Sequence, residues 1–315
     1  MIFIPIGIIL FLILCCLIIM LYCFKKTFYN NRKKEKIILE KGLEFHRNIL
    51  KEHFDLVNEW YEIVKNMPHK EFYITSFDGL KLKARYYEYD SNAPIEIMIH
   101  GYRGNSLRDL SGGVIRCFKM ERNCLLIDNR ANGDSEGNVI SFGINEHKDC
   151  LSWIDFVINN INKNAQIILT GVSMGAASVL MASSYDLPKN VIGILADCGY
   201  SSNKEIIKKV IKEMKLNPNI FYHFVKLSAR IFGKFNLDEI SPVEAVKKAK
   251  VPIFFIHCDC DDFVPYEMSV KNYEACNSIK TLITIEKAEH GLCFVFNQEK
   301  YIKELKEFFE PYLNK

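Results

Sequence analysis

The chain opens on an unbroken apolar run. Ile2 to Phe24 is rich in Ile, Leu and Phe, and no charged side chain occurs before Lys25. As a helix this run is about 35 Å long, enough to cross a hydrocarbon core of about 30 Å. A cleaved signal peptide wants a basic start, a shorter apolar core and small residues at the cut. The start here is uncharged, and Tyr22-Cys23-Phe24-Lys25-Lys26 is a poor cleavage region. Residues 1–24 are therefore expected to stay as a single transmembrane anchor.

In residues 25–68, apolar positions such as Ile38, Leu43, Ile49, Leu50, Phe54 and Val57 recur among Lys, Glu and Asn. That spacing predicts a connector helix on the body or the membrane surface, ending at Met67-Pro68. From Phe72 the period changes. Phe72–Thr75 and Leu80–Tyr89 read as strands, joined by the hairpin signal Asp78-Gly79. Short, almost wholly apolar runs follow at Ile95–Ile99, Cys124–Ile127, Ile167–Thr170, Val191–Leu195, Ile253–Ile256 and Leu282–Ile285. Helical stretches near 106–120, 145–162, 174–186, 266–278 and 296–313 separate most of them. Apolar strands alternating with helices predict a mostly parallel sheet covered on both faces. Residues 201–250 break the alternation. They hold no strand candidate and predict two or three helices, one over Phe221–Phe232. An insertion of that length is too long for a simple loop and is expected to form a helical lid.

Charge adds a direction. Net charge is +3, but Lys25 to Lys41 holds seven basic and two acidic residues, which leaves about −2 for the rest. A body of that sign has no nucleic-acid footprint. Basic residues after an uncharged span stay on the cytoplasmic side, so the body is expected in the cytoplasm. Eight scattered body cysteines without framework spacing suit a reducing compartment.

The chemistry centres on Gly171-Val172-Ser173-Met174-Gly175, which follows an apolar strand and opens a helix. This is the context a nucleophile elbow requires. A serine needs a base to take its proton, and the base needs an orienting acid. Three histidines follow Ser173. His223 falls in the helical insertion and His257 ends a strand. His290 falls in the loop after the last strand, at the correct end of the sheet, and is the expected base. The acid is open at this level: Asp259, Asp261 and Asp262 follow one strand, and Asp197 ends another. The His257–Asp262 mixture of His, Cys and Asp fits no zinc spacing, so no metal is expected. His100-Gly101-Tyr102-Arg103-Gly104 follows an early strand. It offers the Tyr102 N–H to an oxyanion hole whose other donor is the Met174 N–H.

These motifs occur in order with Asp128-Asn129-Arg130-Ala131-Asn132-Gly133-Asp134-Ser135-Glu136-Gly137, Ser241-Pro242 and Glu289-His290-Gly291. Together they resemble the α/β-hydrolase superfamily, in its lipase/esterase and serine-aminopeptidase-like branch, and bacterial membrane-anchored hydrolases within it. The resemblance implies an α/β-hydrolase domain over 69–315, with the lid at 201–250. It selects Asp261, in a His-Gly-x-x-Asp pattern before Phe263-Val264-Pro265, as the acid. It departs at Cys258 and Ala131, where glycine is usual, and gives Asp128 and Arg130 a loop-clamping role. The implied activity is hydrolysis of carboxylic ester or amide bonds through an acyl-enzyme, with no cofactor. Its substrate is a small molecule, and its other contact is the bilayer, through residues 1–24. The rivals are a serine peptidase acting on short peptides and a catalytically silent, membrane-tethered binding protein.

Overall fold

The computed structural model describes residues 3–31 and 53–313. Residues 32–52 of the predicted connector lie outside the described residues. The part that is described departs from a continuous helix. The apolar helix α1 (Phe3–Thr27) runs just past the span and stops. Tyr29 then pairs with Val139 as an isolated antiparallel bridge, and the chain resumes as α2 (Phe54–Asn66). The reason is packing: Phe24 and Phe28 are buried against the body, which a helix continued on the surface would not permit.

Among the described residues, eight strands form one sheet in the order β1-β2-β4-β3-β5-β6-β7-β8. β1 (Lys70–Thr75), β2 (Lys81–Tyr87) and β4 (Asn123–Ile127) pair antiparallel. β3 (Ile95–Ile99), β5 (Ile167–Val172), β6 (Val191–Asp197), β7 (Ile253–Cys258) and β8 (Lys280–Ile285) extend the sheet from β4 in parallel. Parallel strands need crossovers, and α3 (Ser106–Lys119), α4 (Glu146–Phe156), α5 (Met174–Ala182) and α9 (Tyr266–Ala275) supply them. Side chains alternate between two cores. Ile97, Leu125 and Phe255 join Trp153 and Val179 on one face. Met98 and Leu126 join Val114 on the other, where Phe254 packs with Phe309 of the last long helix. Burial on both faces is why these strands read as continuous apolar runs rather than alternating ones.

The segment after β6 is helical: α6 (Asn203–Glu213), α7 (Pro218–Ser228) and the short α8 (Pro242–Ala245). Ile206, Tyr222, Val225 and Phe235 share a cluster with Met174, Ala177 and Met181 of α5 and with Phe24 and Phe28. Phe24 meets Phe232 at 5.6 Å between ring centroids, and Phe28 meets Phe235 edge-on at 5.2 Å. The insertion thus forms the seat on which the end of α1 rests. Earlier along α1 the helix leaves the body; Phe11 is 65 % exposed.

Candidate active site

Four loops at the carboxyl edge of the sheet meet at one cavity. Ser173 follows β5 and is the N-cap of α5, with φ +57° and ψ −116°. A non-glycine residue at positive φ is strained, and strain of this kind persists where the surroundings fix it. Two glycines make room for the turn. A Cβ on Gly171 would stand 2.2 Å from the Gly175 carbonyl, and one on Gly175 would stand 2.0 Å from the Ile99 carbonyl oxygen. The Ser173 N–H donates to the Asp197 carbonyl at 2.8 Å, which ties the elbow to β6. Met174 is the first helical residue, where a backbone N–H has no acceptor in its own helix.

Asp261 lies in the loop after β7. Its Oδ1 accepts from the Phe263 and Val264 N–H groups at 2.9 and 2.7 Å, which fixes the carboxylate plane. Its Oδ2 accepts from His290 Nδ1 at 2.6 Å. The structure therefore brings His290 to Asp261. Asp197 instead accepts from the Tyr301 hydroxyl at 2.9 Å, and Asp259 accepts from the Lys287 N–H at 2.6 Å. Ser173 and His290 line the same cavity, and no hydrogen bond joins them among the described residues. Apo hydrogen bonds of this kind often close only around substrate.

A second histidine stands behind the acid. His257 Nε2 lies 3.1 Å from Asp261 Oδ2 and 2.9 Å from the Val264 carbonyl, and its Nδ1 lies 2.6 Å from Ser269 Oγ. Sequence reasoning left His257 as a structural strand-end residue. The His257/Asp261 spacing was visible, but it carries no meaning off a helix. Burial pushes against charge at each of the three groups, and the hydrogen bonds reverse it. Asp261 is held well below the usual carboxylate range by His257 and His290. Asp261 raises His290, and raises His257 to about 9. Asp197 is pushed far above the usual carboxylate range by burial and the neighbouring Cys198.

Tyr102 and Arg103 follow β3. Tyr102 donates its hydroxyl to the Thr27 carbonyl at 2.7 Å, and its ring packs on Phe142. Arg103, at φ +52°, donates to the Lys26 and Tyr29 carbonyls at 2.9 and 3.1 Å. The Lys26 and Thr27 carbonyls end α1, where helix carbonyls lack partners. The loop expected to offer an oxyanion donor is thus bonded to the end of the N-terminal helix, a link that no sequence pattern signalled. Behind it, the Asn129 N–H donates to His100 Nε2 at 3.1 Å. Arg130 bridges Asp149 and Asp78 with paired contacts, and Asp128 meets Arg85 and Ser106. These are the contacts of a loop clamp.

The cavity measures about 620 Å³. Its walls are mainly apolar: Val57, Trp60, Met98, Leu110, Val172, Phe263, Leu292 and Phe294 join Ser173, His290, Gly101 and Tyr102. α2 contributes Val57 and Trp60, whereas the insertion after β6 contributes no lining residue among those described. The arrangement offers a serine on a strained turn, an oriented imidazole and an apolar chamber beside them.

The profile of the prolyl oligopeptidase family matches residues 141–315. The uncharacterized protein YqkD of Bacillus subtilis is 26% identical over 266 residues, which cover 84% of this chain and 86% of that protein. The uncharacterized protein YfhR of Escherichia coli K12 is 25% identical over 53% of each chain. Among solved structures, the Pyrococcus furiosus esterase Pf2001 superposes with a TM-score of 0.64 at 22% identity, over 79% of this chain and 92% of that one. Est1E of Butyrivibrio proteoclasticus, solved with ferulic acid, reaches 0.59 at 20% identity, over 78% of this chain and all of its own. At these identities the superpositions show the α/β-hydrolase fold.

Proposed function

This chain belongs to the prolyl oligopeptidase family of α/β-hydrolases, and we propose that it is a membrane-anchored serine hydrolase of hydrophobic carboxylic esters. The observation that carries the reading is the His290–Asp261 hydrogen bond of 2.6 Å at a cavity that Ser173 also lines. Ser173 attacks the substrate carbonyl while His290 takes its proton. The tetrahedral oxyanion is held by the Tyr102 and Met174 N–H groups. Asp261 keeps the ring oriented and stabilises the imidazolium. His290 returns the proton to the leaving alcohol, and an acyl-serine remains. Water, deprotonated by the same ring, then releases the acid and restores the serine. Positioned donors of this kind contribute on the order of 10²–10³ each.

The apolar walls support an ester with a hydrocarbon acyl chain, since a chamber of this size and lining gains from burying apolar surface. The family match supports peptide-bond cleavage as a second reading, because the same steps expel an amine. A fluorophosphonate probe on the solubilised full chain is expected to label the wild type and not Ser173→Ala. Labelling that persists in the variant would falsify the assignment. An acyl-ester chain-length panel run beside short peptide amides separates the two readings. Faster turnover of peptides would favour the second.

The anchor reading rests on the helix Gly7–Thr27, which is long and apolar enough to span a membrane, and on the basic flank after it. With that flank inside, the catalytic body faces the cytoplasm. Protease added to intact cells is expected to spare the body, and digestion without rupture would reverse the topology.

A further inference from the structure

Behind the acid and the base lies a cluster that the reaction does not use. Cys198 follows β6, Cys258 ends β7, and Cys293 opens α10 (Cys293–Phe296). All three are buried. Cys198 Sγ lies 3.6 Å from Cys258 Sγ and 3.7 Å from Cys293 Sγ, and the three sulfurs all fall within 4.8 Å of one another. Sulfurs bound to one zinc ion at about 2.3 Å in a tetrahedral shell stand about 3.8 Å apart. The two separations, which in the metal-free chain are those of thiol–thiol hydrogen bonds, are within a few tenths of that edge. Two more features point the same way. The Asp197 carboxyl, next in chain to Cys198, is buried with Oδ1 lacking any hydrogen-bond partner. Such an oxygen is costly unless something compensates it. Cys198 is also held at φ +52°, a conformation that a residue packed merely as an apolar filler has no reason to adopt.

We propose that Cys198, Cys258 and Cys293 form a binding site for one thiophilic d10 cation, zinc(II) or copper(I), seated beside the Asp197 carboxyl. Soft thiolate sets select such cations over calcium and magnesium. On binding, each thiol gives up its proton to solvent and its sulfur forms a bond to the ion; no electron is transferred. The site adjoins the catalytic pair: Cys198 Sγ also falls within 4.8 Å of the Asp261 and His290 side-chain atoms. The ion would join the end of β6, the end of β7 and the start of α10 through bonds other than packing. Cys258 is three residues before Asp261, and Cys293 three after His290. An ion there braces both loops that carry those residues.

The test uses the full chain in detergent, reduced and anaerobic, with Cys15, Cys16 and Cys260 changed to Ser so that the thiols that are not buried cannot compete. Titration with cadmium(II), a spectroscopic stand-in, is expected to give a sulfur-to-metal charge-transfer band that saturates at about one equivalent and to release about three protons. X-ray absorption of the zinc-loaded and copper(I)-loaded protein is expected to show three sulfur neighbours. Competition between the two ions ranks them. Cys198→Ser is expected to weaken binding by more than about a hundredfold. Absence of tight binding, a shell of nitrogen and oxygen, or fewer than three sulfurs would overturn the proposal. The absorption experiment needs no variant of the three ligands, so it decides the matter even if Cys198→Ser does not fold.

Discussion

Changing Asp261 to Asn probes the acid with almost no change in volume. In the wild type, Oδ1 accepts two backbone N–H groups and Oδ2 accepts from His290, with His257 Nε2 also 3.1 Å away. Every neighbour that touches the carboxylate is thus a donor. An amide brings an N–H₂ group to one of these two positions. If it takes the Oδ2 side, it faces the donors of His257 and His290, and the His290 ring must adopt the other tautomer to accept from it. The nitrogen that should receive the Ser173 proton would then already hold one. If it takes the Oδ1 side, the Phe263 and Val264 N–H groups lose their acceptor and the loop moves. Loss of the correct tautomer costs turnover on the order of 10⁴, about 5 kcal/mol in the barrier. Asp197→Asn makes the contrast. Burial and Cys198 push that carboxyl far above the usual range, and its contact from Tyr301 Oη is one an amide oxygen can accept. Its turnover is expected within about threefold of wild type. The assay is single-turnover acylation of one activated ester by both variants and by Asp259→Asn, with substrate affinity measured separately. Near-normal acylation by Asp261→Asn, together with a crippled Asp197→Asn, would refute the reasoning while leaving the fold intact.

Four further outcomes follow from the geometry. His257 binds its proton more tightly in the folded chain, to about 9 against an ordinary value near 6.5, so its contribution to stability is complete below about pH 6.5 and is lost as pH rises toward 9. Melting temperature recorded across that window should fall more steeply for wild type than for His257→Gln, and parallel curves would remove His257 from the account. His290 is raised as well, so the acid limb of kcat/KM should lie above the ordinary histidine value, and a limb below it would contradict the Asp261 contact. Phe28 is fully buried, so Phe28→Ala should cost about 3–5 kcal/mol in chemical denaturation, and Arg103→Ala, which frees the end of α1, should lower kcat more than it changes KM.

Much of the sheet was legible because of how it is buried. A strand covered on both faces leaves a run of apolar residues, and Ile95–Ile99 or Ile253–Ile256 cannot be read as solvent-facing elements. The hairpin was legible from Asp78-Gly79, since Gly79 takes φ +91°. The serine elbow was legible because Gly171 and Gly175 are demanded by contacts of 2.2 and 2.0 Å with backbone, a constraint local in sequence. What could not be read is what depends on distant partners. Phe24 and Phe28 end the apolar run, but the aromatic residues that receive them, Phe142, Phe232 and Phe235, lie more than a hundred residues on. Nothing in the spacing of 25–31 says that the helix stops to dock. The length of 201–250 suggested a lid, whereas Phe232 packs on Phe24 and, among the described residues, Val57 and Trp60 of α2 line the cavity.

The thiol cluster shows the same rule from the other side. Cys258 and Cys293 lie 60 and 95 residues after Cys198, so no short window along the chain contains a metal-like spacing. Strand order brings them together. β5, β6, β7 and β8 are consecutive neighbours, so the loops that leave their carboxyl ends are neighbours too. The loop after β5 carries Ser173, that after β6 carries Cys198, that after β7 carries Asp261, and that after β8 carries His290. Two residues of chain separate Asp261 from Cys258 and His290 from Cys293, enough to turn from the wall of the cavity to the core behind it. A parallel sheet that gathers acid and base from late strands necessarily gathers whatever flanks them. In this chain cysteine stands at Cys258, where the resembled family usually has glycine, with Cys198 after the neighbouring strand β6 and Cys293 beyond β8. The substitution that looked like a departure in loop geometry is, in three dimensions, one corner of a sulfur triangle.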